Sequence, residues 1–281
     1  MSQFRSLKCI VLTEKVDVVL LTKNSIKPCL KECLDAVYAN VPVGHLLVVD
    51  GGSTDGTLNL VQKYANSEVI DDTGGNRATA RQKGIEAAET PWHLHVDSDV
   101  VLCKDWFKAA QKHLNPKIGA LWGVTIPGDK HIYNLNKSMA ILYRKDVLDW
   151  IMQQKNLKRY LTHDTLLRTE VVKDIKIPAD LHIWEDHYIG QHVVSKNYEW
   201  LKTREPCCLH YFHEGNSFQD FVNSGKLARK VHSYTNRQVL LRVGLAIPKS
   251  LWIIAATGDF TAAKLQLENY VGLAKGWYAT V

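Results

Sequence analysis

The stretch Val48-Val49-Asp50-Gly51-Gly52-Ser53-Thr54-Asp55-Gly56-Thr57 decides how the first half of the chain folds. It sets an acid at the end of an apolar run, then glycines that permit a tight turn, then hydroxyl and carboxylate groups suited to capping a helix. This order is typical of a strand-to-helix connection in an α/β protein, although a turn without any function would look the same. The stretch holds neither G-x-G-x-x-G nor G-x-x-x-x-G-K-S/T, so it supports neither a dinucleotide fingerprint nor a Walker loop.

Short β-branched runs alternate with longer amphipathic runs around this stretch, which predicts a βαβ series with a parallel sheet. The predicted strands are residues 17–21, 46–49, 68–70 and 92–96, and the predicted helices are residues 28–39, 57–64 and 77–88. Ligands of such sheets bind beyond the carboxyl ends of the strands. The polar residues at those ends are Asn24, Asp50, Asp97 and Asp99.

Asp97 and Asp99 follow the fourth predicted strand. If the backbone stays extended there, the side chains at i and i+2 point to the same side. Two carboxylates suit Mg²⁺, which proteins hold through one or two carboxylates plus substrate phosphates, and Mn²⁺ is accommodated similarly. A lone D-x-D is a weak pattern, and its alternative is a solvated turn or helix cap.

The composition excludes several classes of protein. The 281 residues are 46% hydrophobic and 23% charged, which is ordinary globular usage and not that of a disordered or collagenous chain. The six cysteines show no paired C-x-x-C spacing, and no apolar leader opens the chain. A cytoplasmic location is therefore the expectation.

The net charge of +6 is concentrated in one stretch. Residues 226–258 hold Lys226, Arg229, Lys230, Arg237, Arg242 and Lys249 and no acid. The rest of the chain is balanced, so we expect no nucleic-acid partner, while a local anionic surface stays open. The longest strongly apolar run there, residues 251–256, is far shorter than the roughly 20 residues that span a bilayer, so no transmembrane helix is predicted.

Taken together, these motifs resemble the family 2 glycosyltransferases of the GT-A fold. The resemblance lies, in order and in spacing, in residues 18–24, 49–57, 76–85, 96–99 and 184–186, within a span of about residues 16–200. It implies a Rossmann-like, mixed but mainly parallel sheet flanked by helices. We expect this domain to cover residues 1–220, followed by a C-terminal helical, basic amphipathic extension over residues 221–281.

The resemblance also implies a reaction and a nucleotide site. A sugar would pass, with inversion, from a nucleoside diphosphate sugar (UDP or GDP) to a hydroxyl of a glycan or a lipid-linked sugar. Asp50 would accept from a base N–H, Asp97 would lie near the ribose, and Arg77 and Arg81 would flank the nucleotide unless they are surface charges. The implied nucleotide-binding residues are Thr22, Asn24, Asp50, Arg77, Arg81 and Asp97.

The metal and catalytic residues are implied in the same way. Asp99, with Asp97, would coordinate Mn²⁺ or Mg²⁺. A histidine downstream would complete the coordination, with His213 narrowly preferred to His210, although either could be a packed histidine. The implied general base is Asp186, supported by Glu185. The alternative for this pair is a helix start stabilised by the helix dipole.

Two features concern the mode of action. Processive synthases of the family carry Q-x-x-R-W, whereas here Gln191 is followed by His-Val-Val-Ser, so repeated polymerisation is disfavoured. Residues 226–242 could form a basic amphipathic helix on an anionic membrane surface, or a core helix with a solvated basic face. Residues 270–278 resemble the tail of membrane-associated relatives, which favours peripheral attachment on the cytoplasmic face.

Two other functions compete with this one. A sugar-phosphate nucleotidyltransferase would carry a glycine-rich loop after the first strand, but residues 22–28 contain no glycine. A catalytically silent module that binds glycans or a partner would have no chemical need for all four of Asp97, Asp99, Glu185 and Asp186.

Overall fold

The computed structural model describes residues 15–154, 159–211 and 218–279. The strands are β1 (Val16–Thr22), β2 (Val43–Asp50), β3 (Ser67–Asp71), β4 (Trp92–Asp97), β5 (Val100–Leu102), β6 (Ile118–Pro127), β7 (Asp164–Arg168) and β8 (Glu199–His210). The helices are α1 (Leu30–Asn40), α2 (Thr57–Val61), α3 (Arg77–Ala87), α4 (Trp106–Gln111), α5 (Lys130–Leu142), α6 (Val147–Gln154), α7 (Thr169–Val172), α8 (Glu185–Ser195), α9 (Phe218–Lys230), α10 (Asn236–Thr257) and α11 (Phe260–Tyr278).

The strands of this part of the chain form one eight-stranded sheet in the order β3-β2-β1-β4-β7-β6-β8-β5. Neighbours β1–β2, β2–β3, β1–β4 and β6–β8 run parallel, and β4–β7, β6–β7 and β5–β8 run antiparallel. In this register Thr22 lies beside Asp50, and Leu21 beside Asp97, so β1, β2 and β4 end at one edge. The predicted mixed, mainly parallel α/β fold is confirmed.

Helices cover both faces of the parallel strands, which explains why β1 is buried almost throughout. Leu20 and Leu94 face one core with Leu34 of α1 and Trp106 of α4. Val19 faces the opposite core, which includes Ala80 of α3. Because successive side chains of a strand point to opposite faces, one short strand serves two cores.

The predicted first-half elements lie where the periodicity puts them, with differences at their ends. The helix α3 begins with a capping box between Asn76 and Thr79. The helix α1 begins at Leu30, so Pro28 precedes the helix and does not occupy its first turn. The helix α2 ends at Val61, three residues before the predicted end.

The C-terminal region consists of α9, α10 and α11, and it corrects one prediction. A single helix over residues 226–242 is wrong, because the chain leaves α9 after Lys230 and starts α10 at Asn236, capped by Thr235 and Gln238. The backbones of α9 and α11 touch, since a Cβ on Gly276 would lie 1.9 Å from the Val222 carbonyl oxygen. The predicted boundary at residues 220/221 falls inside α9, and the division into two domains stays a prediction.

The prediction of no transmembrane helix rested on the length of the apolar run. Among the described residues, one helix, α10, is long and apolar enough to cross a membrane by length and composition, and 22% of its most apolar window is buried. Arg242 and Lys249 interrupt the continuous apolar run, so a criterion based on run length misses this helix.

Candidate active site

The first part of the site is the loop after β2, which is built around the Asp50 carboxylate. Its Oδ1 accepts from the Thr22 hydroxyl at 2.7 Å and from the Ser53 hydroxyl at 2.5 Å. Its Oδ2 accepts from the backbone N–H groups of Gly52 at 3.0 Å and Ser53 at 2.7 Å. Burial alone would raise the pKa of Asp50, but these hydrogen bonds lower it below its usual value. Asp50 is therefore an ionised anchor of the loop.

Asn24 joins the end of β1 to the same loop. It adopts a left-handed conformation with φ of 52°, and its Oδ1 accepts from the Thr54 N–H at 2.8 Å. Its own N–H donates to the Ser53 hydroxyl at 2.8 Å. The structure thus brings Thr22, Asn24 and Asp50 together, and their contact with a nucleotide base stays a prediction.

Arg81 and Asp97 form the second part of the site. Arg81 is 2% exposed, and its guanidinium pairs with the Asp97 carboxylate and lies 3.1 Å from Nδ1 of His95. Burial opposes ionisation of Asp97, but the charge of Arg81 prevails and lowers its pKa to about 2. Arg81 therefore acts first on Asp97, while Arg77 lies exposed at the start of α3.

Asp99 and His210 meet beside this pair. The backbone turns at Ser98 and Asp99, so the extended backbone that was the condition for the same-side geometry is not present. Nevertheless Nε2 of His210 lies 3.3 Å from Oδ2 of Asp99. Burial lowers the pKa of His210, but Asp99 and then Asp97 raise it above its usual value, which places all three groups in one electrostatic site. The preferred histidine, His213, lies outside the described residues.

His163 is a site residue that the sequence did not indicate. Its ring stacks on that of His210 with centroids 4.9 Å apart, and its Nε2 lies 2.6 Å from the Thr125 hydroxyl. His163, Asp164 and Cys208 also form a buried group whose ligand atoms lie within 4.8 Å of one another. A sulfur ligand suits soft metals, whereas the carboxylates of Asp97 and Asp99 with an imidazole suit Mn²⁺ or Mg²⁺.

Glu185 and Asp186 open α8, where the helix dipole favours negative charge. Both side chains are buried, at 4% and 6% exposure. Burial and the neighbouring Asp186 raise the pKa of Glu185 to about 8. Burial also raises the pKa of Asp186, and the charge of Asp97 adds to this effect. Asp186 therefore lies close enough to Asp97, the last residue of β4, for the two charges to interact.

Arg159 completes the surroundings of Asp186 and was also missed. Its Nη2 lies 3.4 Å from Oδ2 of Asp186 and donates to the Ile183 carbonyl at 2.9 Å. Its guanidinium lies over the Trp184 ring, 4.3 Å from the centroid. A cation beside Asp186 favours the ionised form that a general base requires. No motif surrounds Arg159 in the sequence, so only spatial proximity reveals it.

The comparisons with known proteins agree with this geometry. The mainly parallel sheet and its flanking helices match the fold of GT-A glycosyltransferases. The profile of glycosyl transferase family 2 matches residues 17–176, and the chain belongs to this family. The predicted family is thus confirmed.

Individual relatives are more distant. An N-acetylglucosaminyltransferase of Azorhizobium caulinodans is 34% identical over 122 residues, which cover 40% of this chain and 30% of that protein. The mannosyltransferase PcManGT of Pyrobaculum calidifontis, solved with GDP-Man and Mn²⁺, has a TM-score of 0.63 at 15% identity, over 95% of this chain and 88% of that one. TarS 1-349 of S. aureus, solved with UDP-GlcNAc, has a TM-score of 0.58 at 20% identity, over 93% and 90%. These two structures are similar to this chain in fold.

Proposed function

We propose that this protein transfers a sugar from a nucleoside diphosphate sugar to an acceptor hydroxyl, with inversion and in single, non-processive steps. The observation that carries the proposal is the group of acids where β4 ends: Asp97 pairs with the buried Arg81, and Asp99 lies 3.3 Å from His210. The candidate base, Asp186, is buried at the start of α8, and the charge of Asp97 acts on it. The acceptor is proposed to be a glycan or a lipid-linked sugar, and the location cytoplasmic.

The donor set supports a divalent cation in this proposal. Asp99 and His210 approach each other, and Asp97 acts electrostatically on the same imidazole, which is a ligand set suited to Mn²⁺ or Mg²⁺. When bound there, the cation would neutralise negative charge on the donor diphosphate and on the leaving nucleoside diphosphate. The Mn²⁺ in the PcManGT structure is consistent with this choice.

The residues of the chain would divide the remaining work. The loop held by Asp50 would present Asn24 to the nucleotide, and Arg81 would keep Asp97 ionised. Asp186 would accept the proton of the acceptor hydroxyl as its oxygen attacks the anomeric carbon. Arg159 would hold the Asp186 carboxylate in place, and Glu185 would support it from the same helical turn.

The donor base is proposed to be uracil or guanine. One structural neighbour is solved with UDP-GlcNAc and another with GDP-Man, and the curated relative is an N-acetylglucosaminyltransferase. Because the two neighbours were solved with different nucleotide sugars, the test includes both UDP and GDP.

The test is calorimetric titration with UDP, GDP and dTDP, each with and without Mn²⁺, on the wild type and on Asp99→Ala. We expect one nucleotide to bind in a cation-dependent way, and Asp99→Ala to lose that dependence. Glu170→Ala is a matched control, because Glu170 is an exposed acid on α7. Folded protein that binds none of the three nucleotides would contradict the proposal and favour a silent binding module.

A further inference from the structure

The helix α10 packs on the protein through a narrow stripe and turns an apolar face outward. Its buried residues are Val239, Ala246, Ser250 and Ile253. The opposite side, here called the outer face of α10, consists of Arg237, Leu240, Leu241, Gly244, Ile247, Pro248, Leu251 and Ala255, all of which are exposed. Its four large apolar side chains are each 60–64% exposed. This is the reverse of an ordinary surface helix, whose polar face meets water.

The charges of α10 do not cover this face. Arg242 lies over the rings of Tyr234 and Tyr270, 4.8 and 5.4 Å from their centroids. Lys249 donates to the Tyr270 hydroxyl at 2.8 Å. Both basic groups therefore flank the packed side of α10. Arg237, which lies one turn before Leu241, is the charged residue of the outer face of α10.

The surroundings of α10 add apolar surface, and the acid that follows the helix, Asp259, is buried and pairs with His131. The neighbouring α5 lies antiparallel to α10, because Trp252 Nε1 donates to the Ser138 carbonyl at 2.8 Å and His131 pairs with Asp259 at 2.9 Å. The C-terminal end of α5 exposes Ile141 and Leu142, and Phe260, which opens α11, is 72% exposed. From residue 226 to residue 258 the chain has six basic residues and no carboxylate.

Charge complementarity decides among the surfaces that could cover this face. In a two-fold dimer the same patch meets itself, so the outer face of α10 would bring Arg237 towards its own copy and offer it no carboxylate. A bilayer with anionic headgroups offers acyl chains to the leucines and negative charge to Arg237. We propose that the outer face of α10 binds the surface of a membrane that contains anionic lipids.

The packing of α10 favours a position along the membrane surface and not across it. The helix has 22 residues and a length of about 33 Å. Its buried stripe runs from Val239 to Ile253, so contacts with α5 and α11 fix it along most of that length. Crossing a bilayer would require breaking these contacts and burying Arg242 and Lys249 in hydrocarbon.

The experiment is co-sedimentation of the full chain with phosphatidylcholine vesicles, with and without phosphatidylglycerol, at low and high ionic strength. We expect binding to the anionic vesicles that weakens with salt. The combined variant Leu241→Ser, Ile247→Ser and Leu251→Ser should bind these vesicles at least about a hundredfold more weakly, because bilayer affinity scales with the buried apolar area. Arg237→Glu should weaken binding only to the anionic vesicles, by about tenfold.

Val69→Ser is the matched control, because Val69 is a 40% exposed apolar residue on the edge strand β3, and it should bind vesicles as the wild type does. Thermal unfolding checks that every variant folds. Vesicle binding that the triple variant retains, or no vesicle binding by the wild type, would overturn the proposal. So would a dimer in light scattering that the triple variant disperses, or resistance to alkaline extraction from membranes. Nucleotide titration of the same samples is independent of lipid binding, so this inference and the proposed function can fail separately.

Discussion

The two acidic regions of the site are equally buried but are built in opposite ways. Asp50 is 3% exposed, and both its oxygens accept hydrogen bonds from its own loop and from Thr22. Glu185 is 4% exposed, yet its Oε2 has no hydrogen-bond partner among the residues that the structure describes. The pKa of Asp50 is accordingly lowered, whereas that of Glu185 is raised to about 8.

Burial raises the pKa of both carboxyls, and only Asp50 has enough hydrogen bonds to overcome that effect. The Asp50 loop is complete before any ligand arrives, as suits a group that shapes a nucleotide pocket. On α8, Asp186 has partners but the Oε2 atom of Glu185 has none among the described residues, as suits a group close to an incoming hydroxyl. Four changes would break or sharpen this contrast.

Asp186→Asn should have the largest effect. Without a carboxylate to accept the hydroxyl proton, we expect turnover to fall by about 10²- to 10⁴-fold while nucleotide affinity changes little. Steady-state transfer assays and calorimetry would measure the two quantities. Glu170→Gln, on the exposed start of α7, is the control and should leave both unchanged. Turnover at the wild-type level would remove Asp186 from the role of base.

Glu185→Gln should change how stability depends on pH. In the wild type the unfolded chain loses the Glu185 proton near its ordinary pKa of 4.5, while the folded protein keeps it up to about pH 8. The stabilisation that the Glu185 carboxyl contributes is therefore fully present below pH 4.5, and it is lost as the pH rises from 4.5 to about 8. The variant lacks this loss, so its free energy of unfolding should gain a few kcal/mol on the wild type across the window. Denaturant unfolding at several pH values would measure this gain, and a constant difference would contradict it.

Asp50→Ala should affect binding more than chemistry. The loop loses the acceptor of two backbone N–H groups and two hydroxyls, so we expect nucleotide affinity to fall roughly tenfold. Turnover at saturating donor should fall less. Asp71→Ala is the matched control, because Asp71 ends the adjacent strand in register with Asp50 but is exposed. Equal losses of affinity in the two variants would show that Asp50 has no special part in the pocket.

Thr22→Val should have the smallest effect. It removes one hydrogen bond to Asp50 and keeps the side-chain shape, so we expect a loss of about 1 kcal/mol in the free energy of unfolding. The Ser53 hydroxyl still donates to the same oxygen, which limits the loss. Chemical denaturation would measure this loss of stability. If Thr22→Val lowered the free energy of unfolding as much as Asp50→Ala does, Thr22 and Ser53 would not share the anchoring of Asp50.

The sequence could predict the elements of the first half because their signals are local. The apolar run of each strand from β1 to β4, the turn after Asp50 and the cap of α3 are each shorter than a dozen residues. The same locality let the sequence point to Asp50, Asp97 and Asp99 at the strand ends, whereas the family resemblance pointed to Glu185 and Asp186. The sequence could not point to His163 or Arg159, because neither belongs to a motif and both reach the site through long-range contacts with Asp97, His210 and Asp186.

What the sequence by itself determined is the class of fold and the acids at the strand ends, since periodicity and turn chemistry act between near neighbours. The resemblance of its motifs indicated the family. Tertiary structure alone decided that His210 meets Asp99, through the pairing of β5 with β8, and that the Asp50 and Glu185 carboxyls have opposite pKa shifts. It also decided which side of α10 is packed. A helical pattern shows that two faces exist, but the partners α5 and α11 determine which of them turns outward.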